Sequence, residues 1–408
     1  MKEKKIAPRR RFKDFTKEWN LNKLENMGKF GKTYSYSRAQ EGDGEYHHIH
    51  YGDIHVKYTG FITKNTIVPS LSVQGEFDLL KENDVVIADA SEDYVDLGKT
   101  IIIQQIGNKK IIAGLHTFKF TPNENLNSKF YLYYSQTNLF KKFSYKTGTG
   151  ISVFGISKAN IKKMQLNTPE QEEQQKIGKF FKHLDQMISL EQYKLEKTKA
   201  LKFGYLAEMF PTEGEQAPKR RFAGFTDEWK QEKLNKVADY RSGKAHERNV
   251  VDSGKYIIVN SKFVSTNGRV KKFSDVQIES LKKGELAFVL SDIPNGKALA
   301  KIFLIEDDRL FTLNQRVAGI SPKENTDSYF LKELMNRNNY FLKFDGGVGQ
   351  TNLSNSDVKN FESGYPCFEE QQAIGMFFKK LDDKITNQQQ KLDKLKEMKQ
   401  AYLEEMFV

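Results

Sequence analysis

Cysteine is almost missing from this 408-residue chain, where Cys367 stands alone. No disulfide within the chain and no cysteine-based zinc site can form, which suits a reducing compartment. Long apolar runs are missing too: IIIQQI at 101–106 has the length of a buried strand, not of a bilayer crossing. The basic start, MKEKKIAPRRRF, is followed by no apolar stretch of the kind a secretory signal needs. A soluble cytoplasmic protein with no membrane partner is the expectation. The signatures of common catalysts are also absent. There is no GxGxxG fingerprint, no GxSxG elbow, no Asn/Asp-Pro-Pro-aromatic tetrapeptide and no Cys–His pairing with local support. Metal-dependent nuclease sites are built from scattered acids and a lysine, so a single sequence leaves that chemistry open.

What the chain does have is positive charge and apolar material. A hydrophobic content of 38% is enough to fold, so disorder is not the reading. Sixty-five Lys and Arg against 53 Asp and Glu give +12, an excess that favours a polyanionic partner such as DNA or RNA. Many cytoplasmic proteins are basic for solubility alone, so charge by itself does not decide.

It also has repetition. RRFKDFTKEW at 10–19 returns as RRFAGFTDEW at 220–229, an offset of 210, and QQKIGKFFKHLDQMI at 174–188 returns as QQAIGMFFKKLDDKI at 371–385, an offset of 197. Both copies run on to EMF. KTGTGISVFGIS (146–157) stands where FDGGVGQTNLS (344–354) stands, and GLHTFKFTP (114–122) is opposite NQRVAGISP (314–322). The boundaries drawn from this are a first domain at 1–168, a first spacer helix at 169–210, a second domain at 211–365 and a second spacer helix at 366–408.

The repeated helices carry an apolar seam at alternating four and three. It runs through Ile177, Phe181, Leu184, Ile188 and Leu195 in one copy, and through Ile374, Phe378, Leu381, Ile385, Leu392 and Leu395 in the other. Polar residues interrupt it at Glu191, Thr198 and Lys202, and at Gln388 and Lys399. A lone amphipathic helix on a globular core shows the same pattern; two in one chain favour a mutual coiled coil. If the entry and exit of each intervening region lie together, the helices must run antiparallel, and Val408 ends near Ala7. The decapeptide is then a docking segment that packs each domain beside the end of the other domain's helix.

The intervening regions, 20–165 and 230–363, mix strands (VVIADA, TIIIQQIG, YIIVN, ELAFVLS, LAKIFLIE) with short helices around 128–143 and 328–344. The fold class is α+β: two strand-led domains separated by a long antiparallel two-helix coiled coil, with a pseudo-twofold internal repeat. Loops between the strands hold the candidate DNA contacts: Lys32, Tyr34, Tyr36, Arg38, Lys57, Lys146 and Thr149 in the first domain. In the second they are Arg241, Lys244, His246, Arg248, Arg269, Lys271, Gln350 and Asn352. Such side chains suit phosphates and base edges, although solvated loops carry the same letters. The Gly-rich GTG (148–150) and GGVG (346–349) lack the Lys-Ser/Thr of a phosphate-binding loop and read as turns allowing close backbone approach. In EYHHIHYGDIH (45–55), a strand puts His48 and His50 on one face, but with no HExxH or cysteine beside His47 and His55 no metal site is assigned.

The twin lead-ins (Arg9 to Trp19, Lys219 to Trp229), the twin E-x-Q-Q-x-I-G-x-F-F-x-x-L-D segments (Glu172 to Asp185, Glu369 to Asp382) and the Gly-rich loops before Ile156-Ser157 and Leu353-Ser354 occur in order and in duplicate. In this the chain resembles the specificity subunit of a type I restriction-modification system over nearly its whole length. The resemblance implies two target-recognition domains, each reading half of a split double-stranded DNA site, with the helices as a ruler between them. It implies a non-catalytic subunit, without a cofactor of its own, on which two copies of a modification (adenine methyltransferase) subunit and the restriction/translocase subunits assemble. S-adenosylmethionine, ATP and Mg²⁺ then belong to those partners. The first loop, SVFGIS, is longer than QTNLS, so residues do not transfer one for one between the two loops. A self-contained nuclease or methyltransferase, and a coiled-coil adaptor that binds no DNA, are the alternatives.

Overall fold

The structure is a computed structural model that describes residues 6–212, 214–292, 298–308, 310–346 and 349–408. By contacts the chain divides into two units, Met1–Gln192 with Gln390–Val408, and Tyr193–Gln389. The long helices span Gln171–Met209 and Phe368–Glu405, so each unit contains one end of each helix. This division by contact cuts both helices, unlike a division by sequence boundaries, because an isolated amphipathic helix end is held only by what it packs on.

In the first unit a five-stranded sheet runs in the order Gly28–Phe30, Thr117–Pro122, Val85–Ala88, Thr100–Ile103, Phe61–Ile62. A three-stranded sheet, Ser70–Leu71, Glu41–Ile49, Lys110–Ala113, covers one face. The run VVIA is fully buried because it is covered on both sides. Val85 and Ile87 join a core with Phe130, Tyr131 and Phe181, while Val86 and Ala88 join a second core with Ile101, Ile103 and Ile111. Side chains alternate across a strand, so a doubly covered strand reads as a continuous apolar run.

The second unit repeats this plan with one strand fewer. Its four-stranded sheet is Ala238–Ser242, Val317–Pro322, Leu286–Val289, Ile302–Leu304; its three-stranded sheet is Phe273–Ser274, Tyr256–Val259, Phe311–Leu313. Leu286 and Phe288 face one core, Ala287 and Val289 the other. Among the described residues, the fifth strand of the first unit, Phe61–Ile62, has no counterpart in that sheet. The offset between copies is 210 at Phe15/Phe225, 200 at the strands starting at Thr117/Val317 and 197 at the helix caps Ser157/Ser354. Most of the extra length in the first copy therefore lies before Thr117, around that strand, and the rest in the loop before Ser157.

Entry and exit of each region do lie together. Asn20–Lys23 pairs antiparallel with Gln165–Thr168, and Lys230–Lys233 with Glu362–Tyr365. Within the first unit the helix ends are antiparallel, since Lys399 meets Asp185 at 2.6 Å and Lys391 meets Glu191 at 2.9 Å, one number falling as the other rises. The second unit shows the same sense, with Lys202 on Asp382 at 2.6 Å and Tyr205 against Phe377 at 5.0 Å. Ile177, Phe181, Leu184, Leu195, Ile374, Phe378, Leu392 and Leu395 are buried; Ile188, Leu381 and Ile385 are half-buried. Of the interrupting polar residues, Glu191 and Thr198 are buried within the seam.

The repeated decapeptide docks as the repetition requires, and it touches both helices. In the first unit the Arg10 amide donates to the Glu405 carbonyl (2.9 Å), Arg11 forms a two-pronged pair with buried Glu173 (2.7 and 2.6 Å), and Trp19 packs on Phe130 and Phe407. In the second, the Arg220 amide donates to the Glu208 carbonyl (2.8 Å), Arg221 grips Glu370 (2.8 and 2.6 Å), and Trp229 packs on Phe330 and Phe210. Asn167 donates to the Val408 carbonyl (3.1 Å) and the Trp19 amide to the Ile6 carbonyl (2.9 Å), which brings Ile6 and Val408 into this packing. The repeated glutamine is explained as well. Gln174 donates to the Pro169 carbonyl (2.9 Å) and accepts from the Asn127 amide (2.9 Å); Gln371 does the same with Pro366 (3.0 Å) and Asp327 (3.1 Å). Beside it, Gly178 and Gly375 let a second helix approach: a Cβ there would stand 2.7 Å from Lys129 Cβ and 3.0 Å from the Phe330 amide nitrogen respectively.

The helices predicted around 128–143 and 328–344 are each broken in two, as Ser128–Tyr134 with Asn138–Thr147 and Ser328–Met335 with Asn339–Leu342. At the breaks the Thr137 and Asn338 side chains cap the following helices, accepting from the Phe140 and Tyr340 amides. Such side chains offer the backbone an alternative to continued helix.

Candidate nucleic-acid interface

In the first unit the candidate residues are organised by a short helix, Tyr51–Val56, that follows the strand Glu41–Ile49. The strand stops before His50, so His48 and His50 do not share a strand face. His50 instead caps the helix, its ring nitrogen accepting from the Gly52 amide at 3.1 Å. Burial, and then Arg38, hold the His50 imidazole below its ordinary value, which keeps it the neutral acceptor the cap needs. The other three histidines have different partners: His47 donates to the Val68 carbonyl (3.0 Å), His48 meets Glu41 (3.2 Å) and His55 donates to the Ala90 carbonyl (2.8 Å).

Asp53, inside this helix, is fully buried and holds two of the predicted cations, Arg38 at 3.0 Å and Lys57 at 2.9 Å. Burial pushes its carboxyl up, but the Lys57 and Arg38 hydrogen bonds and charges together outweigh that and leave it below the usual range. The side chains of Arg38 and Lys57 are 50% and 51% exposed, so one buried anion anchors two half-exposed cations at the surface. The preceding loop is stapled. The Lys32 amide donates to Asp78 (3.0 Å), the Tyr34 hydroxyl accepts from the Asp78 amide (2.7 Å), and the rings of Tyr34 and Tyr36 flank Phe77. That leaves the Lys32 side chain exposed, while the two tyrosines are half-buried.

Lys146 is exposed in the last turn of Asn138–Thr147. Thr149 then opens a hairpin, exchanging both backbone bonds with Gly155 (3.0 and 2.8 Å). Phe154–Gly155 pairs with Ala90–Ser91, and the Tyr94 ring lies between Phe154 (3.8 Å) and Tyr145 (4.7 Å). Because His55 bonds Ala90, the hairpin and the Arg38–Lys57 pair belong to one end of the unit. Asp89 and His116 join them at 3.0 Å, with Tyr51 packed on His116. Burial raises the Asp89 carboxyl, and His116 offsets this only in part.

Asp89, His116, Tyr51 and Tyr94 were not among the residues the sequence singled out. The sequence offered only matched basic letters, His116 and Arg316, at corresponding places in the two copies; in the structure both stand in the left-handed region, at φ 55° and 67°.

In the second unit two candidates turn inward. Arg241 is held by Glu285 (2.6 and 2.5 Å), Glu279 (3.1 Å) and Ser321 (2.9 Å), and His246 is 1% exposed, with its nitrogens on the Lys244 carbonyl (2.7 Å) and Thr312 (2.8 Å). Both are tied into the framework by these bonds, His246 buried and Arg241 with 28% of its side chain exposed, so of the two His246 presents no surface to a DNA partner in this structure. Their loop was dense in basic letters, but the strand Ala238–Ser242 carries Arg241 over Glu285, while the turn after Lys244 folds His246 under Thr312. Lys244 pairs with Glu279 (3.3 Å) yet stays 62% exposed; Arg248 and Lys271 are exposed, and exposed Arg269 donates to the Thr266 carbonyl (3.3 Å). Gln350 donates to Ser291 (2.6 Å), and Asn352 pairs with Ser291 in a short ladder equivalent to that of the first hairpin. Gly347 and Val348 of the GGVG loop lie outside the described residues.

Each unit thus presents one end built from a short helix (Tyr51–Val56 in the first, Ser261–Ser265 in the second), a two-residue ladder and a loop following the sheet. The cations held there suit phosphates, and of the ladder residues Asn352 is exposed while Ala90, Ser91 and Ser291 are buried. No helix among the described residues is long and apolar enough to cross a membrane.

Comparison with known proteins agrees with this architecture. Residues 16–200 and 226–397 each match the model of the family described as "Type I restriction modification DNA specificity domain". Among solved structures, the S subunit of a type I restriction-modification system from M. genitalium matches with a TM-score of 0.64 at 15% identity, covering 99% of both chains. A chain from a study of complex assembly and conformational transition of the type I R-M system matches with a TM-score of 0.53 at 14% identity, covering 94% of this chain and 96% of that one. At such identities the structural likeness concerns the fold.

Proposed function

The chain belongs to the type I restriction-modification DNA specificity family, and from that premise we propose that it reads a two-part duplex DNA target, one half with each unit. The observation that supports this reading is the doubling itself. Two strand-led units share one strand plan, differ in their exposed loops, and are joined by helices whose ends pack antiparallel in each unit. Repeated frames with unlike loops suit two unlike half-sites, and a helix of 39 residues, about 58 Å long, suits a spacer.

In this reading the cations supply the salt-dependent, sequence-blind part of binding, and a few side chains per unit discriminate bases, each good pair giving about 1–3 kcal/mol. The chain itself performs no chemistry. It assembles with two modification subunits, which bring S-adenosylmethionine-dependent adenine methylation, and with restriction subunits, which bring ATP- and Mg²⁺-dependent translocation and cleavage, in the cytoplasm. Support for placing the chemistry elsewhere is the family's own description as a DNA specificity domain and the commitment of His47, His48, His50 and His55 to separate internal partners.

Mapping methylated adenines in a genome that carries this chain and its modification partner tests the proposal. The expected result is a split motif with a fixed gap, of which exchange of residues 20–165 for another domain changes one half only. A change in both halves, or methylation or cutting by the purified chain alone, overturns it.

A further inference from the structure

Five large apolar side chains lie exposed at the reading end of the first unit: Val56 (86%), Val95 (63%), Tyr145 (70%), Ile151 (94%) and Val153 (53%). Contacts of adjacent residues place them at one end of the unit. Tyr145 packs on Tyr94 beside Val95, Tyr94 packs on Phe154 beside Val153, and His55, next to Val56, bonds the strand that pairs with the hairpin. A single exposed apolar side chain needs no explanation, but several at one end of a unit do.

The hairpin that carries Ile151 and Val153 is rigidly held. Its base is closed by both Thr149–Gly155 bonds, its second strand is laddered to Ala90–Ser91, and the Ile156 amide donates to the Asp89 carbonyl at 2.8 Å. Gly150 has a φ of 137°, and a Cβ there would stand 2.0 Å from the Val153 carbonyl oxygen, so the turn is built around glycine. Lys142 and Lys146 are exposed on the helix leading into it. The matching ladder of the second unit carries Thr351 and Asn352, with Gln350 just before it, so the residues at and beside the two ladders differ in chemistry.

The major groove admits a two-stranded β-ribbon, and the one apolar group that distinguishes a base pair there is the thymine 5-methyl. We propose that the hairpin Thr149–Gly155 enters the major groove and that Ile151 and Val153 select a thymine through its methyl group, with Lys142 and Lys146 on the flanking phosphates. This rests on the reading of the chain as a DNA specificity subunit. A half-site that receives N6-methyladenine necessarily contains a thymine opposite it.

The test uses the chain assembled with its modification subunit and duplexes of the mapped target, each thymine of the first half-site being replaced in turn by deoxyuridine. One or two replacements are expected to weaken wild-type binding about fourfold, the effect of one lost methyl contact. With Ile151→Ala/Val153→Ala those same replacements cost nothing further, and the natural duplex binds about fourfold more weakly. Ile151 is 94% exposed, so its truncation removes no core packing, and an unchanged melting temperature checks this. Equal deoxyuridine effects in wild type and variant, or none at any position, overturn the proposal. So does a variant that loses its modification subunit in gel filtration while discriminating thymine as before, which makes the tip a protein-docking element. Failure of the wild-type assembly to bind the mapped duplex at all is a different result, and refutes the specificity reading itself.

Discussion

Where the first unit meets its helix ends, Asp185 accepts from the Tyr133 hydroxyl (2.9 Å) and pairs with Lys399 (2.6 Å). At the equivalent place in the second unit Asp382 is met by Lys202 and Lys332, both at 2.6 Å, and the same two lysines hold buried Glu333, each at 3.0 Å. Leu132-Tyr133 in one copy has become Lys332-Glu333 in the other. A carboxylate that is 1% exposed cannot remain unpaired, so the glutamate came with its lysine. Burial works against the Lys332 ammonium, but Glu333 and Asp382 together raise it, so it stays charged. The difference teaches that the copies diverge by compensated exchanges where they are buried and freely where they face solvent.

The largest effect tests what the copies share. Arg11→Ala and Arg221→Ala each leave a carboxylate (Glu173 0%, Glu370 1% exposed) without its partner, and calorimetric or denaturant unfolding should show each losing about 3–5 kcal/mol, by similar amounts. Unequal losses would break the equivalence of the two docking sites. A smaller effect tests the compensated exchange. Lys332→Leu alone should cost about 3 kcal/mol, because Lys202 then faces both Glu333 and Asp382, whereas Lys332→Leu/Glu333→Tyr, which copies the first unit, should stay within about 1 kcal/mol of wild type. A double variant as damaging as the single would show that the exchange is not compensated at this site. The smallest effect is at the neighbouring arginines: Arg10 and Arg220 are more than half exposed, and alanine at either should leave the melting temperature unchanged.

The same contrast explains which parts of the molecule were legible in one dimension. The decapeptides, the QQ-x-IG segments and the helix seam could be read because each repeated residue is fixed by several contacts at once: Arg11 by a two-pronged buried pair, Gln174 by three backbone groups, Trp19 by rings from two elements. Candidate site residues were far less legible. Arg38 and Lys57 converge on Asp53, a pairing that only the spacing of Asp53 and Lys57 on a helix hinted at. Arg241 and His246 had the right letters in the right kind of loop and yet turn inward.

The sequence by itself determined that this protein is one plan written twice, joined by two seamed helices, because repetition and periodicity are properties of the chain and need no coordinates. It also settled the antiparallel sense of the helix ends, once the entry and exit of each region are taken to lie together. Only the tertiary structure decided which cations stay exposed, that a buried aspartate anchors two of them, and that a glycine-built turn leaves Ile151 standing in solvent. Those outcomes depend on which acidic or apolar groups the fold brings within a few ångströms of a loop. Such neighbours are distant in sequence, and no local pattern records them.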